Sequence, residues 1–309
     1  MPRYTVYGDA HARGTVALVA LLLAKEIAFD LVPPTASLSF VLATRSGSES
    51  GPWLRTPEGF VLAEPWAISE WLERCHPDPP LLPTTPVRRT CARILEDWIE
   101  VWLPLWPRRS WSTLTGLGAH LAAARFLLGE QPCRPDLVLA AWLETEVLVV
   151  PDVRRFLAEV APALLSHSDA LIGPVVGGDD DGSGDVILPA VRSIVVPLSD
   201  RLSDDAIPLS LLPVLEEIAS DYHAYLVANQ QALKEGADRV LVDLGFGKRA
   251  FPPRRDCEAR RARIGRELAA LDPESRRDVR RVLEPVGAWH ALTLPPVVEE
   301  VDPADPRSL

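Results

Sequence analysis

The chain is short of several things at once. Of its 309 residues, only Lys25, Lys234 and Lys248 are lysine, and there is one methionine. Cys75, Cys91, Cys133 and Cys257 stand apart with no Cys-x-x-Cys pair, which argues against a disulfide framework or a zinc site and leaves reduced thiols. The longest apolar run, Val16 to Ala24, is about half of the roughly 20 residues that a membrane span needs. No basic segment followed by an apolar stretch opens the sequence, so no secretory signal is expected and the expected location is the cytoplasm. Positive charge is also scarce, with Lys+Arg 32 against Asp+Glu 43 and a net charge of −11, which argues against a dedicated nucleic-acid binder. What the chain does have is 47% hydrophobic residues and 30 prolines. That is ample core for one large or two ordinary domains.

Arg3 to Tyr7 is a β-branched and aromatic run that stops at Gly8, which predicts a strand ending in the loop Asp9-Ala10-His11-Ala12. Arg13 to Glu26 predicts a buried helix, and Phe29 to Val32 a second strand stopped by Pro33-Pro34. Two strands joined through such a helix lie parallel, with a right-handed crossover. Ser46 to Gly51 is a polar loop. After it, Pro52 to Thr56 and Phe60 to Leu62 flank the turn Pro57-Glu58-Gly59 as a hairpin. Pro65 at a first helical position opens a helix that buries Trp66, Ile68, Trp71 and Leu72. The expected order over residues 1–76 is β-α-β-loop-β-β-α.

Residues 77–86 are proline-rich and read as a linker. Residues 87–294 turn helical, with helices predicted over Val87–Leu103, Leu117–Leu128, Pro135–Leu148, Asp152–Leu165, Leu211–Lys234, Glu258–Leu271 and Pro273–Val286. One small hairpin, Arg239 to Leu244 with Lys248 to Phe251, interrupts them. The acidic loop over 173–185 suggests calcium, but Ala190 stands where a calcium loop starting at Asp179 needs its bidentate glutamate, so no metal is expected. Arg254 to Arg281 is interleaved with Glu258, Glu267, Asp272, Glu274 and Asp278 and predicts a salt-bridged helix face. The tail over 295–309 reads as frayed.

Three stretches resemble the glutathione transferases. Tyr7-Gly8-Asp9-Ala10-His11-Ala12-Arg13-Gly14 with the helix to Lys25 is similar to the family's first strand, active-site loop and first helix. Gly51-Pro52-Trp53-Leu54 with Glu58-Gly59-Phe60-Val61-Leu62-Ala63-Glu64-Pro65-Trp66-Ala67-Ile68 is the most specific match. Phe126-Leu127-Leu128-Gly129 through Pro132-Cys133-Arg134-Pro135-Asp136 resembles the family's helix-capping segment. The resemblance implies a thioredoxin-like N-terminal domain followed by an all-helical domain, and residues 207–292 look like a C-terminal extension. It also implies glutathione as co-substrate, a small hydrophobic electrophile as its partner, and a homodimer, since members are commonly dimers.

The family's chemistry needs a hydroxyl or thiol at the mouth of the first helix to hold glutathione as a thiolate. Lowering a thiol pKa by two units takes about 2.7 kcal/mol of preference for the anion. In this sequence that position falls on Ala12, which has no donor. Tyr7 occupies the place of the tyrosine used by a second class of the family, and a strand tyrosine packed at a domain edge is the plainer reading. His11 and Arg13 are alternatives in the same loop, as anion partners near a helix N-terminus or as solvated residues. The resemblance gives Gly51 backbone contacts to the ligand through a cis Pro52, with Trp53 following and Glu64 facing the ligand's amino group. The serine expected to grip the ligand's carboxylate is Pro65, which removes a hydroxyl and an N–H together. Trp98, Trp102 and Trp106 recur every four residues on one helical face, either as a core stripe or, for Trp102 and Trp106, as the wall of an acceptor pocket beside Arg108 and Arg109. Two functions follow as expectations: a transferase-like enzyme, and a non-catalytic ligand-binding or scaffold protein of the same fold.

Overall fold

The computed structural model describes residues 3–105, 110–172, 205–244 and 247–298. The acidic loop expected over 173–185, most of the frayed tail, Trp106, Arg108 and Arg109 lie outside the described residues. The chain divides into two compact units that do not follow chain order. One holds residues 1–82, 136–200 and 301–309; the other holds 83–135 and 201–300.

The first unit is built on a four-stranded sheet, in which β1 (Tyr4–Tyr7) lies between β2 (Phe29–Val32) and β3 (Trp53–Arg55), with β4 (Val61–Leu62) at the edge. β1 pairs parallel to β2, as the crossover through α1 (Arg13–Ala24) requires, and antiparallel to β3, which pairs antiparallel to β4. This order and α3 (Pro65–Cys75) make the thioredoxin-like fold that the sequence predicts. One element differs: α2 (Ala36–Ser46) fills what reads in sequence as part of a loop. Thr35 starts it by accepting the Leu38 N–H at 3.3 Å, and Gly47 ends it at φ 71°. α2 covers one face of the sheet, where Leu42, Trp53, Val61 and Ala63 form a buried cluster with Tyr7 and Leu38 packed against it.

The same unit continues after α6 (Arg134–Trp142), whose first two residues fall in the other unit. A π-helical turn over Leu143–Val147 follows, then α7 (Pro151–Val160) and α8 (Pro162–Leu171). The expected single helix from Asp152 to Leu165 is thus two, because the chain leaves helical geometry at Ala161 and restarts on Pro162. Buried Glu144 ties this region together, accepting from Ser168 Oγ at 2.7 Å and from Arg154 at 3.0 Å.

The second unit contains α4 (Pro86–Asp97), a π-helical turn over Trp98–Trp102, α5 (Ser110–Ala123), α9 (Leu212–Ile218), a π-helical turn over Ala219–His223, α10 (Ala224–Glu235), the hairpin β5 (Val240–Asp243) with β6 (Lys248–Phe251), α11 (Arg255–Ala270), α12 (Pro273–Leu283) and α13 (Trp289–Leu292). The arginine-rich stretch is paired as expected, but several pairs are interior rather than on a solvated face. Arg261 is fully buried with Glu258, at 2.7 Å. Arg260 bridges Asp97 and Glu100, whereas Arg280 with Glu284 is a surface pair. A side chain on Gly265 would come within 2.4 Å of the Leu292 carbonyl oxygen, so glycine permits the close approach of α11 and α13.

Candidate active site

Three separated stretches meet at the start of α1. A Cβ on Gly14 would lie 2.8 Å from Pro52 Cδ and 3.6 Å from Pro65 Cγ, so the first helical turn, the loop before β3 and the start of α3 touch through a glycine. The Gly51–Pro52 peptide is cis. The β1–β3 register sets Tyr7 opposite Trp53, next along the chain from Pro52.

The loop before α1 is fixed by Asp9, whose carboxylate accepts the His11 N–H at 2.8 Å while its carbonyl accepts the Ala12 N–H at 3.0 Å. Ala12 is the N-cap and makes no side-chain capping bond. No side-chain oxygen at the cap therefore satisfies the first N–H groups of α1, and that end of the helix keeps its pull on an anion. Thr15 is buried against Gly8, where a Cβ would lie 2.2 Å from its hydroxyl oxygen.

The sequence candidates are placed as follows. Tyr7 is half-buried, packed against the cluster beneath α2. His11 is exposed. Arg13 pairs with Glu146 of the π-helical turn at 3.1 Å, both side chains partly exposed. Trp53 is 4% exposed, its ring lies against Gly51, and its indole N–H is buried without a hydrogen-bond acceptor. Glu64 is exposed at φ 64°, caps α3 without a side-chain bond to it, and accepts from Ser48 Oγ at 2.9 Å. Pro65 is the first residue of α3.

The structure thus brings Arg13, Gly14, Pro52, Glu64 and Pro65 to one place. Ser48 and Glu146 join them, and neither was legible in the sequence. Ser48 lies in a polar run of serines and glycines that reads only as loop, and Glu146 reaches the site from more than a hundred residues away.

Chains of known structure match about half of this chain. A glutathione S-transferase from Rhodospirillum rubrum matches at 17% identity and a TM-score of 0.46, over 53% of this chain and 86% of its own. One from Methylobacterium radiotolerans, in complex with glutathione sulfonate, matches at 22% identity and a TM-score of 0.46, over 54% and 89%. FzlA from C. crescentus matches at 18% identity and a TM-score of 0.45, over 54% and 86%. No family model and no curated protein matches the sequence.

Trp102 lies in the second unit. It is 2% exposed and sits among Tyr222, Tyr225 and Phe251, at centroid distances of 5.6, 5.2 and 5.5 Å. That placement is the core-stripe alternative. Beside it Asp97 accepts from Tyr222 at 2.7 Å. Among the described residues, no group of three His, Cys, Asp or Glu is arranged to hold a metal, and no helix is long and apolar enough to cross a membrane.

Proposed function

We propose that this chain is a cytoplasmic glutathione transferase-like protein, conjugating glutathione or a related thiol to a small hydrophobic electrophile. The observation that carries the reading is the meeting of α1, Pro52 and Pro65 through Gly14. That meeting places a helix start free of a side-chain cap beside backbone able to pair with an extended peptide ligand. In this reading the ligand's sulfur sits at the first turn of α1, and the N–H groups there and the Tyr7 hydroxyl favour its thiolate. The Gly51 backbone pairs with the cysteinyl amide, and Glu64 receives the ligand's amino group. The thiolate attacks the electrophilic carbon, a C–S bond forms, and the leaving group departs with its electron pair. A homodimer accompanies this reading, to be checked by sedimentation.

Calorimetric titration with glutathione, followed by turnover of a broad electrophile panel, tests the proposal. Saturable binding with conjugation supports it, and the absence of both overturns it. A second reading, a non-catalytic ligand-binding or scaffold protein of the same fold, is favoured by Ala12 and Pro65, which remove the donors that the family's chemistry uses. Conjugation that disappears in Tyr7→Phe would refute it.

A further inference from the structure

The second unit holds a serine and a histidine that the thiol chemistry does not use. His120, in the last turn of α5, is buried, and its Nε2 lies 3.0 Å from the Leu127 carbonyl oxygen. A carbonyl can only accept, so Nε2 carries the ring hydrogen. That leaves Nδ1 as a base, and the Ser210 hydroxyl, 2.9 Å away, donates to it. The orienting carbonyl is itself held in place, because Phe126 and Gly129 exchange backbone hydrogen bonds of 2.9 and 3.1 Å around Leu127.

Ser210 lies in a 3-10 turn, Leu209–Leu211, that packs against α5 and runs into α9. A serine ahead of a helix ordinarily serves as its cap, but the N-cap of α9 is Leu211, which has no capping group. The Ser210 hydroxyl is turned to the imidazole instead, and an alcohol that donates keeps its oxygen lone pairs for attack. Ser210 is only partly buried and Leu209 beside it is 82% exposed, so solvent reaches the pair and an apolar side chain adjoins it. An alcohol with its proton aimed at a neutral imidazole, which a third group orients, is the arrangement that nucleophilic catalysis needs.

We infer that Ser210 is a nucleophile, with His120 as its general base, that takes the acyl group from small esters of apolar acids. Ser210 Oγ bonds to the ester carbonyl carbon while its proton passes to His120 Nδ1. The bond to the leaving alcohol then breaks, and the alcohol departs with that electron pair and the proton from His120. Water adds to the acyl-serine with the same base, which releases the acid and restores the hydroxyl. This activity is independent of the thiol chemistry under Proposed function. Two probes of the full chain test it: a fluorophosphonate, which loses fluoride to form a stable bond to the same oxygen, and p-nitrophenyl butyrate. Peptide mapping by mass spectrometry should place the phosphonyl adduct on Ser210, and the ester should be hydrolysed. Both reactions should be lost in Ser210→Ala and slowed at least about 100-fold in His120→Gln, which keeps an amide donor but has no base. If His120→Gln does not fold, the unmodified protein in urea serves, since a serine activated only by its fold should then lose its labelling. No adduct on Ser210, no ester hydrolysis, hydrolysis that survives Ser210→Ala, or labelling that persists in urea each overturns the inference.

Discussion

The guanidinium of Arg13, in the first turn of α1, lies 3.1 Å from the carboxylate of Glu146. A cation at that end of a helix opposes the helix dipole, and the glutamate offsets it. Glu146→Gln should cost no more than about 1 kcal/mol of stability, because the pair is partly exposed. It should also remove the negative charge beside Arg13, so glutathione affinity should rise severalfold at low salt. Unchanged affinity by calorimetry would mean that Arg13 does not reach the ligand.

Tyr7 is half-buried under α2, and its role is separable from its packing. Tyr7→Phe keeps the ring against the buried cluster of Leu42, Trp53, Val61 and Ala63 and removes only the hydroxyl. If that hydroxyl holds a thiolate, a charge-assisted hydrogen bond of about 1.5–3 kcal/mol is lost. The pKa of bound glutathione, followed by thiolate absorbance, should then rise by about one to two units. An unshifted titration would assign Tyr7 to packing alone.

Pro65→Ser restores a hydroxyl and an N–H at the start of α3 without a change of charge. Glutathione should bind at least several-fold more tightly, and its diethyl ester should gain less. Unimproved glutathione binding would show that the ligand's carboxylate does not meet this position.

Gly14→Ala adds a carbon that would sit 2.8 Å from a proline ring atom. A rigid ring yields little, so overpacking should cost about 1–3 kcal/mol, more than the roughly 1 kcal/mol that alanine gains over glycine in a helix. Urea unfolding should show net destabilisation. A stabilised variant would mean that the three stretches separate easily.

The second unit holds two buried titratable groups of opposite sign. Burial pushes the Asp97 carboxyl up to about 6, against the pull of Arg260 and the Tyr222 hydrogen bond. Burial pushes His223 down to about 4, against a backbone hydrogen bond with Ala288. In the fold Asp97 holds a proton that the unfolded chain releases, so its contribution to stability falls as pH rises from about 4 to about 6. His223 lacks a proton that the unfolded chain binds, so its contribution rises from about pH 4 to about pH 6.5. Each amounts to about 3 kcal/mol and they offset one another. Relative to the unmodified protein, His223→Gln should lose stability as pH rises through this window, and Asp97→Asn should gain it. Parallel pH profiles for all three proteins, by urea unfolding, would contradict the assignment.

Much of this fold is legible in the residues themselves. The strand that stops at Gly8, the parallel crossover and the hairpin around Pro57 all carry local signals, and the structure realises them. α2 is harder, because Phe40 and Val41 are exposed and its apolar residues do not fall on one stripe. Its only clear marks are its ends, Thr35 and Gly47. The break at Ala161 is marked in the sequence by Pro162, whereas the π-helical turns carry no local signal. At the site, Gly51, Pro52, Glu64 and Pro65 are found by motif. Ser48 and Glu146 are not, since each becomes meaningful only through a contact distant in sequence.

Tyr222, Tyr225, Phe251, Arg260 and Glu267 all come from the last third of the chain, yet they cover Asp97, Glu100, Trp102 and Arg93 of the first helix in their unit and the turn after it. Stripping that segment away would leave charges and a tryptophan shaped for an interior standing in water. The last third of the chain is therefore part of the core of its unit rather than an appendage, and deleting it should unfold α4 rather than trim it. Engineering a compact version would mean redesigning the α4 surface before cutting the gene.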